Sequence, residues 1–499
     1  MNSAYRLLET RFARLTALHG AGSVLHWDWS TMMPEGGAES RTEQIAALRV
    51  VCHEVLTDPA VPEHLAAADG EELDPWQRAN LREMRRQWLH ATALPADLVA
   101  ALSKASSECE MVWRAARPAS DFATILPSLE RLLALVRAKA EAKAARLGKS
   151  AYEALLDQYE PDGSTAEIDR LFAALAKELP AMTEAALERQ RGLSPPLRPE
   201  GPFPVAAQRQ AGVRLMEQLG FDFAHGRLDV SLHPFCGGTQ DDVRITTRYD
   251  EADFTRALMG VLHETGHALY ERGLPAEWRH QPVGDARGMS IHESQSLLIE
   301  MQVCRSREFL EFAAPVLREC FGGTGPAWDA ANLYRLYTNV ERSFIRVDAD
   351  EVTYPAHVIL RYRLERALIA GDLALADLPP AWNDGMRDLL GIVPPDDRLG
   401  CLQDVHWYDG AWGYFPTYTL GAMTAAQLFV AAKRADPGIA PAIARGDFAP
   451  LLTWLRANVH AKGSRFTSAE IVADATGVPL DAAIFLGHLR ARYLAVKHL

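Results

Sequence analysis

Val261-Leu262-His263-Glu264-Thr265-Gly266-His267-Ala268-Leu269-Tyr270 is the stretch on which the reading of this chain turns. Asp250, with Asp253 three residues on, supplies an N-terminal cap, and Gly273 followed by Pro275 a stop, so the spacing predicts a helix from about Glu251 to Arg272. On that helix His263 and His267 are i and i+4. Two imidazoles then stand one turn apart on one face, with room for a single cation between them, while Glu264 lies beside them without being forced onto the metal. Zinc peptidases use this arrangement. The competing reading is a chance grouping on a buried helix; Gly266 in mid-helix speaks against it, because glycine costs helix stability and usually marks a close backbone approach.

Zinc needs a third protein ligand. The metzincin pattern would require glycine at position 270 and histidine at 273, where this chain has Tyr270 and Gly273, so that class is excluded. The other common solution is a glutamate from a following helix. His292-Glu293-Ser294-Gln295 opens the next apolar periodic run, Leu297, Leu298, Met301 and Cys304, and Glu293 is the expected ligand. His292 is its rival, since a neutral imidazole also serves and spacing alone does not choose between adjacent residues.

The bulk properties set bounds. A length of 499 residues allows two or three domains or one large helical unit around a cleft. A formal net charge of -13 argues against nucleic acid as the main partner. No apolar run reaches membrane-spanning length, and Met1 to Ala21 lacks a signal-peptide apolar core, so the expected compartment is the cytoplasm, without membrane attachment. The six cysteines, at 52, 109, 236, 304, 320 and 401, show no Cys-x-x-Cys spacing and fit reduced thiols better than a disulfide framework or a cysteine zinc site.

Helical periodicity dominates from end to end. It covers Ala4 to Leu18, is interrupted by aromatics and a proline in Leu25 to Pro34, and resumes at about Gly37 to Leu56. Trp27 and Trp29 read as core more readily than as a binding platform. Further helices are expected over Pro75 to Leu89, Pro95 to Ala116, Phe122 to Leu147, Ala151 to Gln158 and about Ala166 to Arg191. The proline-rich Ser194 to Pro204 admits no helix and is the best candidate boundary, dividing an N-terminal lobe, 1–193, from a catalytic lobe, 205–499. After a helix over Val205 to Leu219, Arg227 to Phe235 and Asp242 to Tyr249 alternate apolar and polar residues around Cys236-Gly237-Gly238-Thr239, which predicts a hairpin or two strands of a small sheet. Such a strand either pairs with an extended peptide or is a structural cap on one lobe. Helices then return over Ser296 to Phe321, Ala327 to Arg346, Ala356 to Ala370, Ala381 to Leu390, Thr424 to Ala435 and Phe448 to Val459.

Six motifs stand in order along the chain: His233-Pro234-Phe235, Asp242 to Thr246, His263 to His267, His292 to Gln295, Ile345-Arg346-Val347-Asp348-Ala349-Asp350, and Gly400 to Trp407. With Trp27-Asp28, Thr31, Met33-Pro34, Arg41 and Gly413 to Tyr418, they resemble the thermostable-type metallocarboxypeptidases, the M32 family, from near residue 5 to the C-terminus. The chain departs from the family pattern at Ile299-Glu300-Met301, where Trp-Glu-Asn is usual, and at Pro355, where Asn is common. The resemblance implies a mainly α fold, elongated, with a deep substrate groove and a small β-sheet next to the zinc helix, similar in outline to neurolysin and angiotensin-converting enzyme. It also implies a homodimer, zinc or cobalt, and removal of single C-terminal residues from peptides with broad tolerance except around proline.

Roles follow for particular residues. A zinc held by His263, His267 and Glu293 keeps a fourth position for water and lowers its pKa to roughly 7, and Glu264 is placed to act as general base. The resemblance puts a histidine and a tyrosine at the oxyanion: His406 and Tyr414, with Tyr418 as the alternative tyrosine. His406 read as a buried structural histidine beside Trp407 is the competing account. A free carboxylate is best recognised by a guanidinium, for which Arg346 is the candidate; a plain salt bridge to Asp348 or Asp350 is its alternative, and Arg244 and Arg248 compete for the role. The resemblance places Asp242, Arg244 and Thr246 in the groove, and the motif residues His233, Gln403 and Asp404 are counted with them as substrate-binding. Glu271, one turn beyond His267, either orients that imidazole or is an ordinary solvated residue, the second being the expectation. An oligoendopeptidase or dipeptidyl-carboxypeptidase would use the same metal and base; a non-catalytic helical protein with a structural zinc would more often close four ligands around it.

Overall fold

The ligand-bearing helix is held between two others at points where only glycine fits. In the computed structural model, which describes residues 3–495, the motif helix spans Phe254–Gly273, the following ligand helix Met289–Leu297, and a third helix Pro416–Ala435. A Cβ on Gly266 would stand 2.5 Å from the Gln295 carbonyl oxygen and 2.6 Å from Ser296 Cα. One on Gly421 would stand 2.8 Å from Glu293 Cβ. Both contacts are shorter than side chains allow, so the three helices approach closely around Glu293. The ends of the span 1–499 read from the sequence lie outside the described residues.

The motif helix starts three residues later than the capping pattern predicts. Asp253 is the cap, its carboxylate accepting from Thr255 N, while Asp250 accepts from Ala252 N in a turn that precedes the helix. The run expected as one helix over Ser296 to Phe321 is three segments. The ligand helix passes into π-helical turns over Leu298–Cys304, and a new helix, Arg307–Phe321, begins at the Ser306 cap. Apolar periodicity persists through this register change, which is why it is hard to see in the sequence.

The sheet has three strands, β1 (Gly226–Val230), β2 (Cys236–Thr239) and β3 (Asp242–Thr247), in the order β1-β3-β2. β1 runs parallel to β3, pairing Leu228 with Ile245, and β2 runs antiparallel, pairing Gly238 with Val243. Cys236 to Thr239, expected as a turn, is therefore a strand, and the turn lies at Gln240 and Asp241. Its two glycines depress strand propensity, but Gly238 is required there: it has φ +93, and a Cβ on it would meet Asp242 O at 1.9 Å. Leu228, Val243 and Ile245 pack with Val261 and Ala268, which fixes the sheet against the motif helix.

Elsewhere most expected helices are present, with Phe122–Leu147 and Val205–Leu219 at the predicted bounds. The first helix, however, runs without interruption over Ala4–Thr31, because Pro34 constrains only the residues just before it. Trp27 on this helix is buried and Trp29 is exposed. Ala60–Ala68 is an additional helix, and Ala327 to Arg346 shortens to Ala330–Tyr337, leaving Arg346 on a single 3-10 turn, Arg346–Asp348. One continuous apolar core extends from Ala105 to Tyr493, taking in residues on both sides of the proline-rich 194–204 segment. A separate cluster that includes Tyr5, Phe12, Leu65 and Met84 joins the N-terminal helices.

Candidate active site

His263 Nε2 and His267 Nε2 both face Glu293 Oε2, at 3.8 and 3.5 Å. These three residues offer one ligand atom each, all within 4.8 Å of one another, and they are the group among the described residues that fits a metal ion. Two imidazole nitrogens and a carboxylate are a donor set suited to zinc, and three protein ligands leave a coordination position open. The competing ligand, His292, is turned away: its Nδ1 lies 2.6 Å from His267 Nδ1 and its Nε2 lies 2.8 Å from Glu271 Oε1.

Each metal-facing imidazole is oriented from behind. With its proton on Nδ1, His263 donates to Glu300 Oε2 at 2.9 Å, and Glu300 in turn is paired with Arg305. With its proton on Nδ1, His267 donates to His292, which passes its own Nε2 proton to Glu271. Both chains leave an Nε2 lone pair for the metal, the arrangement by which carboxylates set histidine tautomers. Glu271 therefore acts on His267 through His292, and is not the solvated bystander expected from the sequence.

The charges point to what the site accommodates. Burial works against charge on His263, but Glu293 and the hydrogen bond to Glu300 outweigh it and raise its pKa to about 10. Burial likewise opposes ionisation of Glu293, yet His263 and His267 hold its carboxyl down at about 2. Clustered carboxylates around the imidazoles call for a cation between them. Burial, with Glu293 nearby, pushes Glu264 up to about 7, the range of a group that must both take and give a proton.

A second constellation carries the opposite sign. Arg346 is buried, and its Nε and Nη2 donate to Asp404 Oδ1 at 3.1 and 2.8 Å. Fully buried Arg361 donates from Nε to the other oxygen, Oδ2, at 2.6 Å. One carboxylate thus serves two guanidiniums, leaving an excess positive charge in a low-dielectric setting. Neither alternative partner holds Arg346: Asp348 pairs with Arg256, and Asp350 accepts from Glu341 N and the Thr353 hydroxyl. Gln403 lies behind Arg346, accepting from its backbone N–H at 2.9 Å and donating to the carbonyls of Phe344, Leu399 and Gly400.

Tyr418 packs on the second constellation and reaches His406. The Arg346 guanidinium lies 4.7 Å from its ring centroid, and its hydroxyl is 3.2 Å from His406 Nε2. Burial raises Tyr418 to about 12, with Arg346 acting against and Glu293 adding to the shift. Burial and Arg346 lower His406 to about 4, so its imidazole is neutral, and its buried Nδ1 has no partner among the described residues. The Tyr414 ring packs against Tyr159 and Tyr418 at centroid distances of 4.9 and 5.1 Å.

The sheet residues form a third group. Arg244 forks onto Asp242 at 2.9 and 2.5 Å and lies 4.6 Å over the Trp27 ring, so it is already paired. Thr246 is fully buried and accepts from Ser231 Oγ and Phe235 N, pinning the loop that carries exposed His233. Sequence reasoning assigned no role to Glu300, Arg305, Arg361 or the His292–Glu271 relay. Of these Glu300 was within reach, seven residues from Glu293 and so on the same helical face.

Two imidazoles and a carboxylate presented to one cation, with a carboxylate of pKa about 7 beside them, equip a metal-dependent hydrolase of the helical peptidase type. Over residues 7–493 the chain matches the family described as Carboxypeptidase Taq (M32) metallopeptidase. It is 42% identical to thermostable carboxypeptidase 1 of Thermus thermophilus and 34% identical to that of Pyrococcus furiosus, each over 99% of both chains. The structure superposes on Trypanosoma cruzi metallocarboxypeptidase 1 with a TM-score of 0.96 at 40% identity, covering 99% of each chain. The chain belongs to the M32 metallocarboxypeptidase family and is a peptidase.

Proposed function

We propose that this chain is a zinc-dependent carboxypeptidase that releases single C-terminal amino acids from peptides, with broad specificity except around proline. The observation that carries the reading is the pair of opposite charge imbalances: a carboxylate-rich cluster that calls for a cation, and Arg346 and Arg361 sharing Asp404 with one positive charge to spare. A peptide with a free C-terminus presents an acceptor for each, its scissile carbonyl to the first and its carboxylate to the second. His263, His267 and Glu293 would hold the ion, and cobalt fits the same donors. When bound, zinc supplies Lewis acidity, polarising the carbonyl and lowering the pKa of water to roughly 7.

The remaining work falls to the chain. Glu264 accepts the proton of the attacking water and returns it to the departing amine, which a carboxyl near pKa 7 does in either direction. Tyr418, Tyr414 and neutral His406 provide donors for the developing oxyanion. Arg346 fixes the terminal carboxylate, and Asp404 and Gln403 fix Arg346. Asp242, Arg244, Thr246 and His233 shape the far part of the groove. A homodimer working in the cytoplasm is the assembly and setting we assign. No helix among the described residues is long and apolar enough to cross a membrane.

Incubating the metal-loaded protein with a short peptide and with its C-terminal amide, followed by mass spectrometry, tests the reading. Stepwise loss of single residues from the acid, with the amide spared, supports it. Internal cleavage of both peptides would instead identify an endopeptidase and remove Arg346 from its role; loss of residue pairs would identify a dipeptidyl-carboxypeptidase.

A further inference from the structure

A cavity away from the metal site carries a charge opposite to that of the protein as a whole. It encloses about 680 Å³ between the helix ending at Arg191, the start of the helix Arg307–Phe321 and the C-terminal turns Arg490–Leu494. Its charged lining comprises five arginines, Lys433 and His488, against one carboxylate, that of Glu308, in a chain of net charge -13.

Three of these guanidiniums have no carboxylate partner among the described residues. Arg189 donates to the backbone carbonyls of Ala495 and Tyr493, at 2.6 and 3.2 Å. Arg335 donates to the carbonyl of Ser194, and Arg307 lies over the Tyr334 ring at 4.2 Å. Carbonyls and a ring face orient these groups without cancelling their charge. Arg191 pairs with Glu188, and Arg492 with Glu351. Ser306, the cap of the helix that opens on the cavity, adds the positive end of a helix dipole to the same wall.

We infer that this cavity is a binding site for a small, multiply charged anion, a phosphate ester or a polycarboxylate. Partly buried guanidiniums with fixed orientation and no counter-charge suit oxyanions that accept paired hydrogen bonds. The volume is that of a small-molecule site. The cavity is also joined to the continuation of the ligand helix. Arg492, in its wall, donates to the carbonyls of Met301 and Gln302 in the π-helical segment, one and two residues past the Glu300 that orients His263.

The probes are glucose 1-phosphate, a phosphate monoester, and tricarballylate, a tricarboxylate, both weak ligands for a protein-held metal. Each is titrated calorimetrically into the metal-loaded enzyme, into Arg307→Gln and Arg335→Gln, and into Arg346→Ala, which removes the guanidinium proposed for the peptide carboxylate. Saturable binding of one probe per chain, weakened about tenfold or more in Arg307→Gln and Arg335→Gln but retained in Arg346→Ala, establishes the site. Preference for one probe tells which class of anion it takes. Binding lost in Arg346→Ala and kept in the other two places the anion in the peptide groove and overturns the inference. Absence of saturable heat at millimolar concentrations of both probes overturns it as well. Unchanged melting temperatures of the two glutamine variants without probe exclude misfolding as the cause of lost binding.

Discussion

The metal side and the guanidinium side of the groove solve opposite electrostatic problems by the same means. At the metal side three carboxylates, Glu264, Glu293 and Glu300, surround two imidazoles with Arg305 as the paired guanidinium. At the other side two guanidiniums surround Asp404. Each cluster is buried and each carries an excess of one sign of charge. Leaving a buried charge incompletely paired is costly, and an incoming ion or carboxylate relieves that cost, which turns stored imbalance into binding affinity. On the proposed function the contrast also separates chemistry from recognition, with Glu264 as the proton-transfer group in the first cluster and Arg346 as the carboxylate-fixing group in the second.

The most severe way to break this division is Glu264→Gln. It should keep metal, as measured by metal analysis after gel filtration, while kcat falls by about 100-fold to 10,000-fold. If the variant keeps its rate, Glu264 is not the base. Removing the metal with a chelator should abolish activity to a similar degree, and added Zn2+ should restore it in the wild type but not in Glu264→Gln.

On the guanidinium side, Arg346→Ala should cost about 2 to 5 kcal/mol in kcat/KM on free-acid peptides, partly because Asp404 loses a partner. The loss should be much smaller on the corresponding amides. An equal loss on both would mean that Arg346 supports structure without recognising the carboxylate.

Glu300→Gln sharpens the metal side. By weakening the hold on His263 Nδ1 it should lower metal affinity about 10-fold to 100-fold, read by competition with a chromogenic chelator, with smaller effects on the fully loaded enzyme. Metal affinity equal to wild type would leave Glu300 as merely a partner of Arg305.

Glu365 lies outside both clusters and bears on stability alone. It is fully buried, accepting from Gly413 N at 2.7 Å and from the Tyr152 hydroxyl at 2.9 Å, and burial raises its pKa to about 7 from an ordinary 4.5. Because the folded-state value is the higher, its stabilising contribution is fully present below about pH 4.5 and is lost as pH rises through 7, in total roughly 3 kcal/mol. Glu365→Gln should flatten that part of the profile of unfolding free energy against pH. A profile identical to wild type would show that Glu365 does not titrate in this range.

How far the sequence reached can be argued residue by residue. Glu264 beside His263 and His267 was legible because it is a matter of helical periodicity, and Glu293 because the choice narrowed to two adjacent residues. The sequence could not tell Glu293 from His292, since the direction of each side chain depends on where the ligand helix docks, and that is set by Gly266 and Gly421. Phe122–Leu147 and Val205–Leu219 were legible from end to end, having capping residues or helix breakers at their bounds. Cys236 to Thr239 was misread as a turn because two glycines look like one, and the pairing with β3 that makes it a strand is a tertiary fact.

By itself, the sequence determined that the chain is helical, that two imidazoles share a face one turn apart, and that a carboxylate stands beside them, because these are short-range consequences of the helix repeat. Only the tertiary structure decided that Asp404 would stand between Arg346 and Arg361, 58 and 43 residues away in the chain, and that Glu300, on the face of Glu293, would meet His263 across 37 residues of chain. Pairing across such distances depends on which helices pack together, and packing is fixed by the shape and volume of whole surfaces, which no local pattern of residues encodes.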